Sequence, residues 1–162
     1  MVTIRPAIEK DQSSIMEIYN EAVEHTTATF DTEKRSLERQ LEWFRNHKNN
    51  HPIIVGEENG IIKGWASLSP WSDRKAYDGT VEVSVYVHRD HRGKGIGKKL
   101  LEIITHEGKR VNNHTILSRI SAGNKSSIHI HEVLGYTHIG IMKEVGMKFG
   151  NYIDVHMMQY LY

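Results

Sequence analysis

The chain of 162 residues is long enough for one domain with a sizeable core, so we expect a single domain over residues 1–162. With 21 Lys and Arg residues against 20 Asp and Glu residues, the net charge of +1 is too balanced for a general nucleic-acid-binding protein. The absence of cysteine excludes disulfides, thiolate metal sites and a cysteine acyl-enzyme. No apolar run approaches the length of a membrane span, and residues 1–6 lack a signal-peptide core. We therefore expect a cytoplasmic protein with neither membrane nor nucleic acid as a partner.

The first half of the chain predicts two helices between short strands. Asp11 and Ser36 are each placed to cap a helix, because apolar residues follow both at helical spacing. Asn59-Gly60 is a strong hairpin signal. The predicted strands of this half are residues 3–7, 52–57 and 61–68.

In the second half, strands and helices alternate before a closing hairpin. Residues 80–87 alternate strictly, with valines facing one way and Glu82, Ser84 and Tyr86 the other. A helix follows near Ile96, and Gly135 ends another helix over residues 126–134. Further strands are predicted at residues 115–121, 136–145 and 152–161. The resulting order, βααβββαβαββ, predicts an α+β protein whose mixed sheet carries helices on its faces.

The most informative segment is the basic, glycine-rich turn between the strand ending at Val87 and the next helix. Arg92, Gly95 and Gly97 form an R-x-x-G-x-G pattern, and five of the twelve residues from 88 to 99 are Lys or Arg. Backbone N–H groups of such a turn, backed by a helix dipole, favour a diphosphate. The spacing fits neither the Walker loop nor the dinucleotide fingerprint. The alternative is a solvated basic loop capped by glycines.

This arrangement resembles motif A of the GNAT superfamily of N-acetyltransferases, in which Q/R-x-x-G-x-G/A holds the pyrophosphate of acetyl-CoA. The resemblance implies a twisted, mostly antiparallel sheet flanked by helices, with acetyl-CoA as co-substrate and no metal. The strand before the turn is then expected to contact the pantetheine arm. The cofactor-binding residues implied in this part of the chain are Val85, Tyr86, Val87, Arg92, Gly93, Lys94, Gly95, Ile96, Gly97 and Lys98.

A second segment, residues 124–136, resembles motif B of the same superfamily. Asn124 is expected to hydrogen-bond the pantetheine, and Ser127 takes the small-residue position. His131 stands where most relatives carry the tyrosine that is the presumed acid for the departing thiolate. Protonated imidazole fits that role, but the apolar neighbours of His131 are equally compatible with a packing residue.

The motif H-E-x-L-G-Y at residues 131–136, together with Ala76-Tyr77 and residues 148–151, narrows the resemblance to one branch of the superfamily. It is similar to the phosphinothricin acetyltransferase family and its methionine sulfoximine and sulfone acetyltransferase relatives. In that branch the glutamate corresponding to Glu82 is the proposed general base; the alternative is a solvent-facing strand residue. The resemblance implies direct transfer of acetyl to the α-amine of a small amino acid or analogue, in a homodimer.

Three residues are predicted at the acceptor. Phe30 is expected to form a wall of the pocket, Arg74 to bind an acceptor carboxylate or oxyanion, and Tyr77 to donate a hydrogen bond. Two rival functions stay open. One is a protein N-terminal or lysine acetyltransferase, and the other is a non-catalytic acyl-CoA-binding module that has no need of Glu82.

Overall fold

A computed structural model describes residues 1–162, and its elements follow the predicted order. The strands are β1 (Thr3–Pro6), β2 (Ile53–Glu58), β3 (Ile61–Pro70), β4 (Thr80–Val87), β5 (Thr115–Ser121), β6 (Thr137–Lys148) and β7 (Asn151–Leu161). The helices are α1 (Gln12–His25), α2 (Leu37–Arg45), α3 (Ile96–Arg110) and α4 (Lys125–Val133). None of the four helices is long and apolar enough to cross a membrane.

The seven strands form one sheet in the order β1-β2-β3-β4-β5-β7-β6. Every neighbouring pair is antiparallel except β4 and β5, which are parallel. That parallel pairing is short, because it joins only Thr80–Glu82 to residues 115–117. Beyond Glu82 the two strands part, while each remains paired to its other neighbour.

Helices cover both faces of the sheet, and the alternation of β4 follows from this arrangement. Val81 and Val83 are buried in a core that includes Leu100 and Ile104 of α3. The opposite face of the sheet carries a second core around Trp65, covered by α1 and α2. The predicted alternation is therefore confirmed, and it directs Glu82 away from the α3 core.

Of the two predicted helix caps, one is confirmed and the other is wrong. The Ser36 side chain accepts a hydrogen bond from the Arg39 N–H, as an N-cap should. Asp11 precedes α1 but makes no capping hydrogen bond. Its carboxylate instead accepts from the Arg5 guanidinium at 2.7 and 2.9 Å and from the Ile8 N–H. An ion pair with Arg5, six positions earlier in the chain, has replaced the cap.

Candidate active site

A cavity of about 490 Å³ opens where β4 and β5 part. Glu82 and Tyr86 line it from β4, and Arg119 and Ser121 line it from β5. Further walls come from the loop after α1, the start of α4 and the β6–β7 hairpin. The predicted site residues in these walls are Phe30, Glu82, Val85, Tyr86, Asn124, Ser127 and His131.

The glycine-rich turn follows β4 directly and has the geometry of an anion cradle. Gly93 and Gly95 have φ of +75° and +78°, the left-handed region that favours glycine. A Cβ added at either position would meet no protein atom within 4 Å, so both face open space. None of the backbone N–H groups from residue 93 to 98 donates to a protein acceptor, and they surround the N-terminus of α3. These groups can therefore bind a diphosphate.

Gly97 has a different role from the two left-handed glycines. It lies within α3, where an added Cβ would stand 3.5 Å from Val87 and 3.8 Å from Ile130. These are ordinary contacts, so the protein alone would accept a side chain here. Ile96 is buried and offers only its backbone to the cradle, whereas Lys94 and Lys98 are exposed at its rim.

The Arg92 side chain turns away from the cradle towards the rest of the protein. Its Nε donates to the Val87 carbonyl at 3.1 Å, and its Nη2 donates to Glu21 of α1. Arg92 therefore fixes the turn against β4 and α1, and its contribution to an anion site comes from charge and positioning. Among the β4 backbone groups expected to bind a pantetheine arm, the Val87 carbonyl already accepts a hydrogen bond from Arg92.

Asn124 caps α4 and keeps a donor free. Its Oδ1 accepts from the Ser127 N–H at 3.2 Å, while its side-chain amide N–H groups have no protein acceptor. Since both residues line the cavity, Asn124 can donate to an amide carbonyl of a bound arm.

Glu82 lies in the cavity and forms a bidentate ion pair with Arg119. Arg119 Nε and Nη2 each donate to one carboxylate oxygen at 2.7 Å. The pair spans the gap between β4 and β5, and the carboxylate raises the pKa of the Arg119 guanidinium. The interpretation of Glu82 as an ordinary solvent-facing strand residue is therefore disfavoured by its position.

Comparisons with known proteins agree with this geometry. A family model described as an acetyltransferase (GNAT) domain matches residues 4–157. The chain belongs to the GNAT acetyltransferase family. It is 40% identical to the L-methionine sulfoximine/L-methionine sulfone acetyltransferase of Salmonella typhimurium, over 98% of this chain and 93% of that protein. It is 32% identical to the phosphinothricin N-acetyltransferase of Streptomyces viridochromogenes, over 98% and 86% of the two chains.

A solved GNAT structure supports the fold and the cofactor. The phosphinothricin acetyltransferase from Sinorhizobium meliloti in complex with acetyl-CoA superposes with a TM-score of 0.95 and 34% sequence identity. The match covers 99% of this chain and 88% of that one. The fold and the family indicated by the two sequence motifs are therefore confirmed.

His131 is held by the GNAT scaffold in the manner of a packing residue. It is buried, its ring packs edge-on against Tyr136, and its Nδ1 lies 2.7 Å from the Ser127 carbonyl. Nδ1 must carry a proton to make that bond, and in the neutral ring Nε2 then accepts from the Ser118 hydroxyl at 3.0 Å. Burial lowers the pKa of His131, which favours the neutral ring. Of the two interpretations left open by the sequence, these contacts favour packing over acid catalysis.

The three residues predicted to contact the acetyl acceptor do not all line the cavity. Phe30 lines the cavity, where its ring lies against Gly146 of the hairpin. Arg74 and Tyr77 are exposed on the loop between β3 and β4 and do not line the cavity. The acceptor-binding roles of Arg74 and Tyr77 stay predictions. The guanidinium that lines the cavity belongs to Arg119.

The loop after α1, residues 26–31, is held in place by contacts with α1 and with the β6–β7 hairpin. The buried Lys148 donates to the Thr29 carbonyl at 2.8 Å, and Tyr19 donates to Asp31. Burial and the Asp31 carboxylate raise the pKa of Tyr19 to about 12. These contacts join α1, the loop and the β6–β7 hairpin into one wall of the acetyltransferase site.

The neutral, buried state of His131 predicts a pH-dependent stability. Because its folded pKa lies below the ordinary value of 6.5, the unfolded chain takes up the proton first, and stability is lost as pH falls below 6.5. We expect the free energy of unfolding, measured by urea denaturation, to fall between pH 6.5 and about pH 5, by at most about 1.4 kcal/mol per pH unit for this one group.

The variant His131→Gln should show a weaker dependence over the same range, since it removes one titrating group. His129→Gln, on the exposed face of the same helix, serves as the control and should keep the wild-type dependence. His47, His51 and His91, whose pKa values are also lowered, contribute to the remaining slope. An unchanged pH dependence in His131→Gln contradicts the neutral assignment.

Proposed function

We propose that this chain transfers the acetyl group of acetyl-CoA to the α-amine of a small amino acid or analogue of the methionine sulfone, methionine sulfoximine or phosphinothricin type. The observation that carries the proposal is the position of Glu82, whose carboxylate lies in the cavity at the point where β4 leaves β5. The names of the two relatives, each matched over nearly the whole of this chain, support the acceptor class.

The residues of the glycine-rich turn, β4 and the start of α4 fit acetyl-CoA as the donor. The unpaired N–H groups of residues 93–98 suit its diphosphate, and the unpaired side of β4 together with Asn124 suits its amide-containing arm. When bound, acetyl-CoA supplies an acetyl group on an activated thioester. The strand and the cradle would then fix where along β4 the thioester lies.

Glu82 supplies the base that the reaction requires. An α-amino group is largely protonated near pH 7, and only its lone pair can attack the acetyl carbon. Glu82 takes one proton from the ammonium, and the freed lone pair of the nitrogen forms the new C–N bond. The C–S bond then breaks to release CoA thiolate, and the nitrogen passes its second proton to solvent water to give the neutral amide. His131 donates no proton in this scheme, because its Nδ1–H is engaged by the Ser127 carbonyl and the thiolate leaves unassisted.

The shape of the cavity favours a small acceptor over the rival substrates. Phe30, Met142 and Val145 contribute apolar side chains to the walls of the cavity that holds the Glu82–Arg119 pair. A protein N-terminus or a lysine side chain would need an open groove at this point. A non-catalytic acyl-CoA-binding module would need the cradle but no carboxylate beside the acyl end.

We also propose that the protein forms a homodimer through the edge strand β6. This strand is 12 residues long and unpaired on its outer side, and it exposes Ile139, Ile141 and Met147. A long edge with exposed apolar side chains is a surface that proteins normally cover, and a second copy of this chain is the occupant we propose. A cytoplasmic location stays a prediction from the sequence.

The acceptor class and the role of Glu82 are tested together by a thiol-release assay with acetyl-CoA and a panel of amino acids, amines and peptide N-termini. We expect Glu82→Gln to lower kcat/KM about 10²- to 10⁴-fold near pH 7, since it removes the general base while keeping an acceptor for Arg119. The loss should shrink at higher pH, where more of the amine is already neutral.

Glu132→Gln, an exposed carboxylate on α4 outside the cavity, is the matched control and should keep full activity. Turnover of the Glu82 variant equal to wild type at all pH values contradicts the mechanism. Turnover with peptide N-termini but with no amino acid contradicts the acceptor class and supports the rival enzyme.

The dimer is tested by light scattering coupled to size exclusion. We expect a mass twice the 18.7 kDa of the chain, and we expect Ile141→Lys to yield the single-chain mass because it places a charge on the proposed apolar interface. Ile61→Lys, an exposed isoleucine on the β2–β3 hairpin, is the control and should remain dimeric. A wild-type mass of one chain at every concentration tested contradicts the proposal.

A further inference from the structure

Arg119 is the only cationic side chain that lines the cavity. The other charged groups in its walls are the carboxylates of Asp31 and Glu82, and burial lowers the pKa of His131, which favours its neutral ring. Asp31 is engaged by the Tyr19 hydroxyl. A negatively charged group on any ligand in this cavity therefore has one cation to pair with, and that cation already contacts the proposed base.

The ion pair uses only one edge of the Arg119 guanidinium. Glu82 accepts from Nε and Nη2, whereas Nη1 and the second N–H of Nη2 have no protein acceptor. A guanidinium has five N–H donors, so the Nη1–Nη2 edge can form a second fork with another oxyanion. The side chain of Arg119 is 52% exposed and that of Glu82 is 21% exposed, which leaves this edge accessible from the cavity.

Trp71 lies beside the guanidinium of Arg119. The Arg119 Cζ is over the Trp71 ring, 5.5 Å from the ring centroid, which is within the range of a cation–π interaction. Arg119 reaches back from the parted strand β5 to Glu82 on β4, so the pair bridges the gap at the mouth of the cavity. A ligand that enters beside the pair meets both charges at once.

An α-amino acid in its zwitterionic form matches this arrangement. An ionised carboxylate offers about four lone-pair sites, and Arg119 occupies two of those on Glu82, so the carboxylate can still accept from an ammonium. The ammonium and carboxylate of the ligand are attached to the same carbon, as close together as the two charges of the ion pair. When the zwitterion lies head to tail against the Glu82–Arg119 pair, the four charges alternate in sign.

We propose that Arg119 is a specificity-determining residue that binds the α-carboxylate of the acceptor through its Nη1–Nη2 edge while Glu82 receives the α-ammonium. The acceptor side chain then extends towards Phe30, Met142 and Val145. The site selects free α-amino acids over simple amines, amino-acid amides and peptide N-termini, all of which lack that carboxylate. This inference rests on the proposed acetylation of an α-amine.

The experiment measures kcat/KM for three acceptors that differ only at the carboxylate: L-methionine sulfone, its α-carboxamide and 3-(methylsulfonyl)propylamine. The enzymes are wild type, Arg119→Gln, Arg119→Lys and the control Arg110→Gln. Arg110 also donates from Nε and Nη2 to a glutamate, Glu107, but it lies on α3 outside the cavity. Melting temperatures and the KM for acetyl-CoA show whether a variant keeps its fold and its donor site.

We expect wild type to prefer the amino acid over its carboxamide by about 100-fold, since a site built for a carboxylate discriminates strongly against its absence. Arg119→Gln should reduce this preference to within about threefold by raising the KM for the amino acid, with the KM for acetyl-CoA unchanged. Arg119→Lys, which keeps the charge without the fork, should retain part of the preference. Arg110→Gln should behave as wild type.

Two results overturn the inference while leaving the proposed function intact. One is an undiminished preference for the amino acid in Arg119→Gln. The other is an equal loss of kcat/KM for all three acceptors, which would mean that Arg119 only positions Glu82. Failure of the proposed function itself looks different: wild type would then acetylate no amino acid of the wider panel, whatever stands at position 119.

Discussion

The parting of β4 from β5 after Glu82 is the constraint on which the candidate site depends. β4 is paired with β3 through Val87, and β5 is paired with β7 through Ser121, so each strand belongs fully to its own half of the sheet. Only three residues of each strand pair across the join. The last five residues of β4 therefore lack a strand on one side. Unpaired backbone groups are costly unless something pairs with them, and an amide-containing arm can take the place of a strand.

The rest of the site is arranged around that gap. The turn that follows β4 leaves the N–H groups of residues 93–98 free, and Arg92 ties the turn to α1 through Glu21. On the acceptor side, the Glu82–Arg119 pair crosses the gap, and Lys148 fixes the loop after α1 to the β6–β7 hairpin. Donor and acceptor are thus expected to meet where the strands separate, with the general base supplied by β4 itself.

Local patterns in the sequence were sufficient for the element order and for the direction of Glu82, because periods of 2 and 3.6 decide which residues face a core. They were also sufficient for the glycine turn, since its left-handed residues follow from local backbone geometry. The residues that failed or were missed depend on partners outside their own helix or strand. Asp11 lost its capping role to Arg5, and Arg119 gave no signal because its partner lies on a strand 37 positions away.

The most direct test of this account is calorimetric titration of acetyl-CoA into wild type and two glycine variants. Gly95→Val places a side chain in the open space of the cradle, whereas Gly60→Val strains an equivalent left-handed glycine, also at φ +78°, in the distant β2–β3 turn. The account predicts one acetyl-CoA per chain, an affinity at least about tenfold weaker in Gly95→Val, and wild-type affinity in Gly60→Val. Equal affinity in all three proteins would contradict it.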